Sequence, residues 1–139
     1  MIVRWPGQVD AGSVCDGLVT STDFFPTFAE IAAVDTSHLQ QDEISLLGAW
    51  FGTQCDGLSE RTLVWEAKGR PQNKFAVKRG GWKLVKEKRL ELYDLRADPA
   101  ESRDLYESHR PVADELAQIY WDWRERAGRI EFSIDAVEG

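Results

Sequence analysis

The chain has 139 residues, 42% of them hydrophobic, with six Trp, six Phe and three Tyr. That is material for one domain or a large subdomain that buries roughly two-thirds of its unfolded surface. A formal net charge of −7 argues against a general nucleic-acid or anionic-membrane binder, and no run of about 18 apolar residues offers a membrane-spanning helix.

In chain order, Ile2 to Trp5 reads as a β-strand cut at its beginning, as expected of a fragment of something longer. The start M-I-V-R-W-P-G has no charged head, apolar core and cleavage site, so it does not read as a signal peptide. Pro6-Gly7 makes a turn, and Gln8 to Val14 is a polar connection. Ser21 or Thr22 then caps a helix through Asp23, Phe24, Phe25, Thr27, Phe28, Ile31 and Ala32. Asp23 falls in its first turn, where a carboxylate complements the helix dipole. Val34 to Glu43 is a polar loop, Ile44 to Phe51 one or two helical turns, and Gly52 to Arg61 a loop again. Cys15 and Cys55 share the tetrapeptide C-D-G-L but have no zinc-site spacing and form no Cys-x-x-Cys. A disulfide between them stays open.

Thr62 to Glu66 is a strand candidate, linked by Ala67 to Gln72 to the stretch that organises the chain, Asn73 to Pro99. That stretch holds three β-forming runs, Phe75 to Val77, Trp82 to Val85 and Leu90 to Leu95. Gly80-Gly81 tolerates the positive φ of a two-residue hairpin turn, and Asp98-Pro99 stops the last run. A two-residue turn sets Arg79 opposite Trp82, Lys78 opposite Lys83 and Val77 opposite Leu84. Three antiparallel strands expose an apolar face that something must cover. The cover is Pro111 to Ala127, where Val112, Leu116, Ile119, Tyr120 and Trp123 recur at helical spacing, flanked by Ala113 and Ala127. Pro111 suits the first helical turn and Gly128 a stop just beyond the end.

Charge is concentrated in the same stretch. From Lys68 to Arg89 nine Lys or Arg stand against one acid, Glu87, while both flanking regions are acidic. Like charges facing each other, such as Lys78 and Lys83, destabilise a sheet unless an acid or a bound anion offsets them. Glu91 on the next strand is the expected offset. The alternatives are a solvated, salt-bridged face and a face that meets an anion.

Several segments follow one another in an order that resembles the C-terminal third of an arylsulfatase-type sulfatase, a branch of the alkaline phosphatase superfamily. They are R-W-P-G, V-T-S-T-D-F-F-P-T-F-A-E-I-A, I-S-L-L, L-V-W-E, F-A-V-K-R-G-G-W-K-L-V and E-L-Y-D-L-R-A-D-P-A-E-S-R-D-L, spanning Ile2 to about Trp123. The resemblance implies an α+β fold: a small antiparallel sheet of three to four strands packed by a C-terminal helix, preceded by an N-terminal strand and helix from the edge of a sulfatase α/β domain. Residues 1–60 would be the remnant of that domain and residues 61–139 the C-terminal subdomain.

Members of that family hydrolyse sulfate esters with a formylglycine made from Cys or Ser in C/S-x-P-x-R, next to a calcium ion. Fixed positive groups are needed there because the transferred group is anionic. Cys15 and Cys55 are followed by D-G-L, and neither has the Pro or Arg of that motif. Hence no catalytic or metal residue is expected in this chain, no cofactor is expected to bind it, and it should be silent alone; whether it deserves to be called an enzyme is left open. His38 and His109 read as surface residues, and Trp65-Glu66 as a core anchor and an ion-pair partner. Substrate-rim candidates are Lys68, Arg70 and Lys74 in the link before the hairpin, with Lys78 and Lys83 in it. The alternative function is a non-catalytic module that binds a sulfated small molecule or glycan through residues 68–89, or that complements a separate catalytic half. An exposed apolar face is expected to favour self-association. Intact relatives are often exported, to periplasm, lysosome or medium.

Overall fold

Alternating apolar and polar residues after Arg61 generate the largest element of the chain, a four-stranded antiparallel meander in the order β1-β2-β3-β4. In the computed structural model, which describes residues 1–39, 43–53, 58–67 and 74–128, the strands are β1 (Thr62–Ala67), β2 (Lys74–Arg79), β3 (Trp82–Lys86) and β4 (Leu90–Asp94). The β2–β3 register is the one that Gly80-Gly81 implies: Arg79 faces Trp82, Lys78 faces Lys83 and Val77 faces Leu84. Gly80 supplies the positive φ of the turn, +54°. Gly81 is needed for space, because a Cβ there would lie 2.9 Å from the Arg96 side chain. Its carbonyl accepts the Leu95 N–H at 2.8 Å, tying the chain after β4 back to the turn.

Period-two alternation sends Val64, Val77, Leu84 and Leu92 to one face, in one cross-strand row. Helix α3 (Arg110–Gly128) covers that face. Its Ala113, Leu116 and Tyr120 are buried with Phe75, Val77, Leu84 and Leu92, and Val112, Ile119 and Trp123 pack at the margin. The Phe75 and Tyr120 rings stack 3.7 Å apart at 8°. Pro111 lies in the first turn, as its missing N–H allows. Gly128, expected just past the end, is the last helical residue. The outer edge of β4 is occupied: Leu92 N–H donates to the Asp104 carboxylate and Leu92 C=O accepts from Leu105 N–H, which removes a pairing site for another chain.

The chain divides into two units, Met1–Arg61 and Thr62–Gly139. The first holds a 3-10 turn (Ser21–Asp23) leading into α1 (Phe24–Ile31), and a single helical turn, α2 (Leu47–Trp50). Ile2 to Trp5, expected as a strand, takes part in no ladder. Instead the Trp5 carbonyl closes a turn by accepting from Gln8 and Val9 N–H. A strand exists only where a neighbour supplies its hydrogen bonds, and residues 1–61 supply none to this segment. Cys15 is disulfide-bonded; Cys55 lies outside the described residues. Among the described residues no helix is long and apolar enough to cross a membrane.

Candidate functional site: the hairpin cations

The hairpin cations arise from the strand pattern itself. Lys74 and Lys78 alternate with Phe75 and Val77 along β2, so burying the apolar pair turns both lysines to the face away from α3. Lys83, opposite Lys78, joins them there, in a row that runs Leu63, Lys78, Lys83, Tyr93 across the four strands. The adjacent row on that face is Trp65, Ala76, Val85, Glu91. Of the five expected rim residues, Lys74, Lys78 and Lys83 are thus placed on one sheet face. Lys68 and Arg70 lie outside the described residues.

Most of the segment's positive charge is matched by acids of its own unit. Lys74 pairs with Glu87 at 3.3 Å, Arg79 with Glu115 at 2.6 Å, and Arg89 with both Glu91 at 3.1 Å and Asp104 at 3.4 Å. The facing lysines are resolved without Glu91, which is opposite Val85 and engaged by Arg89. Glu101 takes Lys83 at 2.6 Å, and Lys78 donates to the Gly80 carbonyl at 3.1 Å. The reason is topological. Glu101 is delivered by the turn after Pro99, where Asp98 accepts from the Ser102 and Arg103 N–H groups at 2.8 and 2.9 Å. Glu101 itself sits at φ +54°, a strained conformation for a side-chain-bearing residue. Burial, followed by the nearby Glu91 carboxylate, pushes the Tyr93 phenol above its ordinary value, so it stays neutral beside Lys83.

On the opposite face, Glu66 accepts from the Tyr120 hydroxyl and from the Arg124 guanidinium. Burial and the Glu66 bond raise the Tyr120 pKa. Glu66 therefore joins β1 to α3 as an ion-pair partner. His109 is exposed, its Nδ1 2.9 Å from Ser108 Oγ and its ring 5.2 Å from that of Trp82.

The polar cluster that sequence reading missed lies in the first unit. Asp23 is fully buried; its Oδ2 accepts from Thr20 N–H at 2.8 Å and from Arg61 at 2.7 Å. Thr27, also fully buried, donates to the Asp23 carbonyl at 2.6 Å and accepts from Leu46 N–H at 2.8 Å. Burial pushes the Asp23 carboxyl up, but Arg61 and the Thr20 and Ile44 N–H groups outweigh it, and the net shift is downward. Asp23 was legible as a helix-start residue. Its partner Arg61, 38 positions away, left no local signal. A cavity of about 700 Å³ in this unit is lined mainly by residues 1–15, with Ala49, Trp50 and Gly52. Among the described residues no three His, Cys, Asp or Glu side chains are grouped to hold a metal ion.

The family of N-sulphoglucosamine sulphohydrolase C-terminal segments matches residues 1–125. The ulvan-active sulfatase of Formosa agariphila is 22% identical over 165 residues, covering 93% of this chain and 33% of its own length. Among solved structures, Ps i-CgsB in complex with k-i-k-neocarrahexaose superposes with a TM-score of 0.75 and 21% identity, over 86% of this chain and 27% of that one. A protein solved with its substrate D-glucosamine-2-N,6-O-disulfate gives a TM-score of 0.70 and 20% identity, over 94% and 28%. The chain therefore spans about a third of the relatives it matches.

Proposed function

The chain belongs to the N-sulphoglucosamine sulphohydrolase C-terminal family, and from that premise we propose that it is the C-terminal part of a sulfatase that hydrolyses sulfate esters with groups lying outside it. The observation that carries this reading is the family match over residues 1–125 in a chain that has no C/S-x-P-x-R motif. Cys15, bonded in a disulfide and followed by Asp-Gly, is no seat for a formylglycine. Calcium and formylglycine belong, on this reading, to the larger remaining part, with residues 1–60 the edge of its α/β domain and residues 61–139 the appended subdomain. The substrate class is a sulfated saccharide, by analogy with the ligands of the two structural neighbours.

Lys68, Arg70 and Lys74 would then border the cleft of the assembled enzyme. Lys78 and Lys83 act as sheet lysines, since Lys83 is already matched by Glu101. The test is hydrolysis of a generic aryl sulfate by the purified chain with added calcium. No turnover above the uncatalysed rate is expected; turnover would overturn the proposal, because it would need a nucleophile the chain lacks. The module that binds anionic glycan by itself is the weaker reading, because the cations that would carry it are largely paired. Steeply salt-dependent binding of the chain to a sulfated oligosaccharide would restore it.

A further inference from the structure

Helix α1 is built inside out. Its inward side is polar: Asp23 at its start and Thr27 are fully buried and held by Arg61, Thr20 and Leu46. Its outward side is apolar, with Phe25 55%, Phe28 58% and Ile31 41% exposed at three-residue spacing. The Phe24 and Phe28 rings stack 5.9 Å apart, so the stripe is a preformed aromatic ridge. Because the inward side is taken up by hydrogen bonds, turning the helix over would strand Asp23 and Thr27. A contiguous apolar ridge in that position marks a contact surface.

We propose that this ridge is the seat of the part of a sulfatase polypeptide that the chain does not span. The proposal rests on the reading above. Two observations select this occupant. Relatives keep the fold over 86–94% of this chain while it makes up only 27–28% of theirs, so the same unit recurs beside a much larger body. Independently, Ile2 to Trp5 lies in the same unit without a strand partner, and the buried Trp50 Nε1–H has no acceptor. Both lack what another stretch of polypeptide would provide.

The full chain is co-expressed with the part of the Formosa agariphila ulvan-active sulfatase outside the matched third, and the two are purified through a tag on one. Recovery of a complex is expected, with about a tenfold drop for Phe25→Ser/Phe28→Ser and no change for Trp121→Ser, an equally exposed aromatic in the second unit. Absence of the complex, or a complex indifferent to the double substitution, overturns the proposal. So does a homo-oligomer of the chain that the same substitutions abolish and the fragment does not displace, since a second copy would then occupy the ridge. In the chain alone the double variant should keep its melting temperature and bind less apolar dye; a large loss of melting temperature would mean the ridge is already packed, and would also overturn it. Aryl sulfate turnover by the complex is scored separately. A complex without turnover counts against the sulfatase reading and leaves the docking intact.

Discussion

Thr27 is a small residue with an outsized task. Its hydroxyl bridges the Asp23 carbonyl and the Leu46 N–H with no solvent exposure. Thr27→Val keeps the shape and strands a buried N–H, which should cost about 1–3 kcal/mol, read from denaturant unfolding of residues 1–61. Asp23 makes the same unit acid-sensitive. Its folded pKa lies below the ordinary carboxylate value, chiefly because Arg61 and backbone N–H groups outweigh burial. The stability it contributes is therefore complete above the unfolded pKa of about 4 and is lost as pH falls below that toward the folded value. Asp23→Asn should flatten this acid limb, checked by thermal melts between pH 5 and 2; an unchanged limb would exclude Asp23 as its source.

At the scale of elements, the sheet and α3 hold each other by one apolar row and one polar staple. Leu84 is fully buried in the centre of the row Val64, Val77, Leu84, Leu92. Leu84→Ala should cost about 2–5 kcal/mol, seen as a lowered melting temperature of the second unit. The staple is lighter. Tyr120→Phe keeps the stack on Phe75 and gives up only the hydroxyl bond to Glu66, about 1–2 kcal/mol. Arg124→Ala should cost under about 1 kcal/mol, because the guanidinium is largely solvated. A larger loss for Arg124 than for Tyr120 in a double-mutant comparison would reverse that order.

At the scale of the whole chain, the two units differ in how they are held. The second has an apolar core of seven buried residues. In the first, the buried apolar side chains among the described residues are Leu46 and Leu58, and Cys15 is tied by a disulfide. Small units with little core depend on such ties. Reduction should therefore act on the first unit selectively. Amide exchange at Leu18, whose N–H donates to the Leu58 carbonyl at 3.2 Å, should accelerate with reductant, while Val77 and Leu84 should be unaffected. Equal acceleration at all three would show that the disulfide matters to the whole chain.

Much of this architecture was determined by sequence alone, because it depends on neighbours in the chain. Gly80-Gly81 sets the hairpin register, period-two alternation chooses the buried face of β2 and β3, and helical spacing from Val112 to Trp123 selects the side of α3 that packs. The ordered segments from R-W-P-G to E-S-R-D-L were enough to point to the family. What only tertiary structure decided was partnership at long range. Arg61 reaches Asp23, Glu101 and not Glu91 matches Lys83, and Glu66 meets Tyr120 and Arg124. Ile2 to Trp5 has the residues of a strand and no strand partner. A charge or an edge carries no mark of which distant group will satisfy it; periodicity states which way a side chain faces, and only the folded path of the backbone states what it finds there.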